Sequence, residues 1–161
     1  MTRYLSLAEF WYLAEHVTGI NAATLIGASR VELADSALHA PQAGFGATDF
    51  YPDVYDKAGI LACRIAWNHP LPDGNKRAAW ACLVLFIDLN DGTWNNEHPD
   101  TDDAVEAMLA VAAREVDETW LANWLPTHHE LLTIKPPGKD ITGLNDTHIS
   151  CEVGRVSGGS G

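Results

Sequence analysis

Positive charge is scarce in this chain: 10 lysines and arginines stand against 22 aspartates and glutamates in 161 residues, a formal charge of −12. A surface of that sign repels polyanions, so direct binding to nucleic acid or to an anionic membrane is not expected, and a basic partner segment would be attracted instead. Surplus carboxylates also simply keep a surface soluble, so charge alone names no function. Cysteine is equally scarce. Cys63, Cys82 and Cys151 are an odd number without metal-ligand spacing, and the first two fall inside apolar, helix-like runs, which points to buried free thiols. Long apolar runs are missing too. No stretch reaches the roughly 18 to 20 uninterrupted apolar residues of a membrane span, and Met1 to Glu9 lacks the basic-then-apolar layout of a signal peptide. No membrane association and a cytoplasmic location are expected.

What is present is an ordinary globular composition, 47% hydrophobic and 20% charged, in a length that suits one domain with its own core. From Leu5 to Val17 the apolar residues recur at helical spacing, with Ser6 and Glu9 placed as a capping box. Val31 to Leu38 repeats that spacing until Pro41 breaks it. Ala40 to Phe50 holds Pro41, Gly44 and Gly46 around Phe45 and almost no charge, which fits an irregular or weakly extended segment and a candidate flap. Tyr55 to Trp67 reads as a largely buried helix stopped by Pro70 and Pro72. Ala78 to Leu89 is almost wholly apolar, hence a central core helix, ended by Asn90, Asp91 and Gly92. Asp100 to Asp103 offer caps for a helix over Ala104 to Val116, and a shorter amphipathic piece runs from Asp117 to Leu125 against Pro126.

The fold class expected is therefore all-α, with residues 1–126 as the domain. Beyond it, residues 127–156 form an extension whose short apolar runs, Leu131 to Ile134 and His148 to Val153, suit short strands or an extended tail, and 157–161 read as a flexible linker.

The chemistry concentrates in His69 to Trp80, His-Pro-Leu-Pro-Asp-Gly-Asn-Lys-Arg-Ala-Ala-Trp, a polar turn between two apolar helices. Pro70 and Pro72 fix backbone angles, Gly74 lets the main chain approach a ligand, and the helix that follows aims its unpaired N–H groups at the loop, an arrangement that binds phosphate. Lys76 and Arg77 in its first turn oppose the helix dipole unless an anion sits before them. Asp73 offers a hard oxygen suited to Mg²⁺ beside such an anion, and an imidazole such as that of His69 can accept a proton from an attacking hydroxyl near neutral pH. Each residue also has a structural reading: Asp73 as a helix cap, Asn75 as an Asx bond that holds the turn, Lys76 and Arg77 as solvated charge. A zinc site at His69 and Asp73 lacks further ligands, His128 and His129 lying in the tail.

His69-Pro-Leu-Pro-Asp73-Gly-Asn75-Lys76-Arg77 resembles the signature of the Fic/Doc family, in particular its death-on-curing branch. Leu33-Ala-Asp-Ser-Ala-Leu, Pro41-Gln-Ala-Gly-Phe-Gly, Tyr51-Pro, Lys57-Ala and Leu85-Phe-Ile-Asp-Leu-Asn-Asp-Gly extend the resemblance over Leu5 to Leu125. It implies a helical bundle with the signature loop between two central helices and a target strand laid along a flap that includes Pro41, Gln42, Gly44 and Phe45. It implies His69 as general base, Asp73 as the holder of Mg²⁺ against ATP, Gly74, Asn75 and Lys76 as the phosphate-binding loop, and Arg77 as the charge that neutralises the transferring group.

Two departures bear on the reaction. Relatives that transfer AMP usually carry Gly at the position of Lys76 and a second Arg at that of Trp80, and the death-on-curing branch shares the present pattern. The resemblance thus implies a toxin kinase that moves the ATP γ-phosphate to a Ser or Thr hydroxyl, with elongation factor Tu as the expected target. Nucleotidyl transfer, or an idle module that keeps only the fold, are the alternatives. Leu71 stands where the family usually has Phe, a change of packing under the loop. The self-inhibitory Ser/Thr-x-x-x-Glu-Gly/Asn segment of AMP-transferring relatives has no counterpart here, so the resemblance implies restraint by a separate Phd-like antitoxin.

Overall fold

In the computed structural model, which describes residues 1–90 and 101–127, the chain starts as its capping box dictates. Ser6 Oγ accepts from the Glu9 N–H at 3.3 Å and Glu9 Oε2 accepts from the Ser6 N–H at 2.9 Å, opening α1 (Leu7–Thr18), which Gly19 closes at φ 72°. That backbone bond from Ser6, aided by the Ser6 hydroxyl and Arg3 and opposed by burial, holds the Glu9 carboxyl below its ordinary range. There follow α2 (Ala22–Ala28), α3 (Val31–His39), a 3₁₀ turn (Ala40–Gln42), a hairpin of β1 (Gly44–Phe45) and β2 (Thr48–Asp49), α4 (Val54–Asn68), α5 (Asn75–Leu89), α6 (Thr101–Ala112) and α7 (Glu118–Thr127). The all-α expectation holds, with the two-residue strands as the sole β structure among the described residues. No helix among them is long and apolar enough to cross a membrane.

Helix α4 is the axis of the body. Ala58, Ile60, Leu61, Ala62, Cys63, Ile65 and Ala66 are all buried, and α5, α7, α3 and the 3₁₀ turn pack around it. The Cys63 thiol is pushed up to about 12, chiefly by burial and then by the Glu118 and Asp117 carboxylates, and burial alone raises that of Cys82, so both are inert free thiols. Gly59 sets the approach of α7: a Cβ there would stand 2.8 Å from the Glu118 carbonyl oxygen and 3.3 Å from the Ala122 nitrogen. Both obstacles are backbone and cannot swing aside. Gly59→Val is therefore expected to lower stability by about 1 to 3 kcal/mol, the usual cost of overpacking, read as a lower urea midpoint. An unchanged midpoint would show that α7 is not seated on α4 as described.

One helix has no counterpart among the expectations, and three expectations need correction. Helix α2 went unread, because seven residues with Leu25 as the one buried position give no periodicity to count; Asn21, whose side chain accepts from the Ala23 N–H at 2.9 Å, was its available signal. Ala40–Gln42 is a helical turn rather than irregular chain, Pro41 being buried against α4. Helix α6 spans Thr101–Ala112 instead of Ala104 to Val116, with Asp102 and Asp103 inside its first turn. It ends in a Schellman closure, the Glu115 N–H on Ala110 O at 3.0 Å and the Arg114 N–H on Val111 O at 3.0 Å, where Arg114 takes the left-handed position at φ 57° that glycine would have advertised. Helix α7 runs through Pro126 rather than stopping before it. Asp91, Gly92, Asp100, Cys151, the two short apolar runs after Pro126 and the linker-like end lie outside the described residues.

Candidate functional site

The loop from His69 to Gly74 joins the end of α4 to the start of α5, so both walls of the site are core helices. Its floor is apolar: Pro70 is buried and Leu71 is 3% exposed within the core cluster. Asn75 holds the turn from beneath. Its carboxamide oxygen accepts the Leu71 N–H at 2.9 Å and its amide nitrogen donates to the Leu71 carbonyl at 2.9 Å, so a buried side chain satisfies two buried backbone groups at once. The carboxamide of Asn75 thus shapes the loop, and what it offers a ligand is its backbone.

His69 caps α4 in the left-handed region, φ 49° and ψ 57°, and is exposed. For a residue with a Cβ this conformation costs roughly 1 to 2 kcal/mol. It turns the chain sharply off the helix, and it is held by a residue that no sequence pattern singles out: Arg30, at the start of α3, whose Nη2 donates to the carbonyls of Asn68 at 3.0 Å and His69 at 3.1 Å. No local motif could have found Arg30, because its partners lie 38 and 39 residues away.

On the far side of the loop Gly74 is the N-cap of α5 at φ 77°, with no side chain capping that helix. A Cβ here would meet Thr18 Cγ2 at 2.9 Å, so glycine is required both by the backbone angle and by the end of α1. Asp73 is therefore not the cap of α5. Its carboxylate is 87% exposed and stands 3.7 Å from Arg77 Nη2, a solvated i,i+4 pair of little energetic weight that a metal ion or phosphate can separate. Arg77 is steadied from α1, Nη1 donating to the Val17 carbonyl at 2.6 Å. Lys76 is exposed beside it. Asp73, Lys76 and Arg77 thus gather at the N-terminus of α5 with the imidazole of His69 at the other end of the same six-residue turn.

A groove of about 660 Å³ opens from these cations between the end of α1, α5 and α6, lined by Lys76, Arg77, Trp80, Val105, Met108 and Leu109 among others. Trp80, half-buried, forms its aromatic wall and stacks edge-on with Trp124 at 6.3 Å.

The four flap residues differ in their burial. Pro41 is buried and its carbonyl accepts from Lys57 Nζ at 3.3 Å, whereas Gln42, Gly44 and Phe45 are exposed, Phe45 at 83%. Lys57 is buried at 3% exposure and also reaches Asp49 at 3.1 Å, which pins β2 to α4. Its anchor lies about 17 Å along the helix from Asn68, from the rise of 1.5 Å per residue. The flap and His69 are thus mounted at opposite ends of one helix.

A buried helical axis that ends in an exposed histidine, followed by a loop carrying a carboxylate and with two cations at the head of the next helix, defines a helical scaffold whose charged groups gather at the junction of its two central helices. A family model described as the Fic/DOC family matches residues 4–87, more than half of the chain, and the chain belongs to this family. It is similar to Toxin Doc of Mycolicibacterium smegmatis, 42% identical over 85 residues that make up 53% of this chain and 65% of that one. The match thus spans slightly less than two thirds of that relative's length. No solved structure matches the chain.

Proposed function

We propose that the chain is a Doc-like toxin kinase that moves the γ-phosphate of ATP to a Ser or Thr hydroxyl of a translation factor, elongation factor Tu being the expected target. The observation that carries this reading is the uncapped N-terminus of α5, with Asp73, Lys76 and Arg77 clustered on it and His69 exposed one turn of chain away. Phosphoryl transfer needs little covalent help from a protein; it needs held charges and a base. His69 takes the hydroxyl proton as that oxygen bonds to the γ-phosphorus, and the bond from that phosphorus to the ADP oxygen breaks. The N–H groups of the first turn of α5, with Lys76 and Arg77, hold the phosphate oxygens while this happens. Asp73 fits as a ligand for Mg²⁺, being an exposed hard-oxygen donor beside those cations; when bound, the ion would neutralise phosphate charge.

The groove beside Trp80 falls within the size range of small-molecule pockets and leaves room for the nucleoside. Lys76 and Trp80 favour phosphoryl over nucleotidyl transfer, since an indole cannot grip a terminal phosphate as a guanidinium does. Action in the cytoplasm and restraint by a Phd-like antitoxin complete the reading.

Intact-mass analysis of elongation factor Tu after incubation with the protein, Mg²⁺ and ATP tests it, with His69→Ala as control. A gain of one phosphate that the control lacks is the expected result. A gain of one AMP would replace kinase by nucleotidyl transfer, and no gain would overturn this target.

A further inference from the structure

Arg30 occupies a position that makes no sense for its own helix. It is the N-cap residue of α3, where a cation opposes the helix dipole, and its side chain makes no capping bond there. All its hydrogen bonding beyond α3 goes instead to the end of α4. Nη2 donates to the Asn68 and His69 carbonyls at 3.0 and 3.1 Å, and the Arg30 backbone N–H donates to the Pro70 carbonyl at 2.9 Å. One residue thus meets three consecutive carbonyls that span the left-handed turn at His69. Those carbonyls lie at and just past the negative end of the α4 dipole, where a cation is favourable. A second tie runs the same way, Asn68 Nδ2 donating to the Leu33 carbonyl at 3.4 Å.

We infer that Arg30 is a positioning residue for His69: the junction of α2 and α3 works as a bracket that holds the histidine backbone at φ 49° and so aims its imidazole across the loop. The role of the bracket in transfer rests on the kinase reading; its hold on the backbone does not. Without the guanidinium, the Arg30 N–H on the Pro70 carbonyl, the Asn68–Leu33 tie and the Asn75 bonds still anchor the chain on either side, but the Asn68 and His69 carbonyls lose their shared donor, and His69 is free to relax toward the extended region that a residue before proline prefers. The imidazole would then spend most of its time misdirected, while Lys76 and Arg77, carried by α5, and Asp73, in the loop just ahead of it, would stay in place. Loss should therefore fall on turnover rather than on nucleotide binding. Lysine, which keeps the charge and one or two donors, should restore much of what glutamine does not.

The experiment compares the wild-type chain, Arg30→Gln, Arg30→Lys and His69→Ala. It measures kcat and KM for ATP with elongation factor Tu as acceptor, and the HN–Hα coupling and Cα and Cβ shifts of His69, which report its left-handed backbone. Arg30→Gln should lower kcat about tenfold or more, as misplacement of a reacting group does, with KM for ATP changed less than about twofold. Its His69 signals should move away from left-handed values, and Arg30→Lys should recover both readouts in part. Left-handed signals and full turnover in Arg30→Gln would overturn the proposal, as would a loss confined to KM. If the wild-type chain transfers nothing to elongation factor Tu, that target fails, and the His69 signals decide the bracket by themselves. If Arg30→Gln does not fold, the same signals in Arg30→Lys decide it, unaltered values supporting the bracket and relaxed ones refuting a role for the charge.

Discussion

If the chain is the kinase proposed, His69→Ala should lower phosphoryl transfer by about 10² to 10⁴-fold, the range a positioned general base contributes, without weakening the fold. His69→Gly should be as inactive and yet more stable. The reason is the left-handed turn at φ 49°. A side chain there costs roughly 1 to 2 kcal/mol that glycine escapes, and glycine gives back about 0.4 to 1 kcal/mol through the larger entropy of its unfolded chain. A net gain of about 0.5 to 1 kcal/mol over His69→Ala is expected, visible as a higher urea midpoint at unchanged slope. A glycine variant no more stable than the alanine variant would mean that the turn is not strained and that Arg30 has little to hold.

The second large effect lies under the loop. Asn75→Ala should cost about 2 to 5 kcal/mol, because the Leu71 N–H and carbonyl are both left buried without partners, each at about 1 to 3 kcal/mol. Asn75→Asp separates the two bonds: a carboxylate still accepts the Leu71 N–H but sets a second oxygen against the Leu71 carbonyl, now 2.9 Å from a donor. It should be destabilised as well, and less so in acid, where a protonated carboxyl regains a donor. Urea unfolding at two pH values and hydrogen exchange at the Leu71 amide read both. An alanine variant as stable as wild type would show that the loop is held by Pro70 and Leu71 alone.

Much of this was legible in the order of residues because it is local. The capping box at Ser6, the apolar runs of α4 and α5 and the punctuation of the loop by Pro70, Pro72 and Gly74 are all written within a turn or two of where they act. Asn75 could be read as a holder of the turn as well as a part of the phosphate loop, but its side chain holds the turn by reaching back four residues to the N–H and carbonyl of Leu71 rather than through an Asx bond. What sequence alone could not yield is what long-range packing decides. Arg30 is an unremarked cation until α3 is laid across the end of α4, and Lys57 is one more lysine until burial brings it to Asp49 and Pro41. Helix α2 was too short to show a period, and the end of α6 was hidden by an arginine in the position where a glycine is expected.

The ties that finish the site have a consequence for the order of assembly. Arg77 is steadied by a carbonyl 60 residues earlier in the chain, and His69 by a side chain 39 residues earlier. Contacts of such separation form late, after the entropy of closing long loops has been overcome, and they form only once α1 and the α2–α3 junction have docked on the α4–α5 pair. The stretch from His69 to Arg77 carries the catalytic groups proposed here and yet, cut from the first 30 residues, has neither its bracket nor its guanidinium in place. A chain only partly made or partly unfolded holds the ingredients of the candidate site without its geometry.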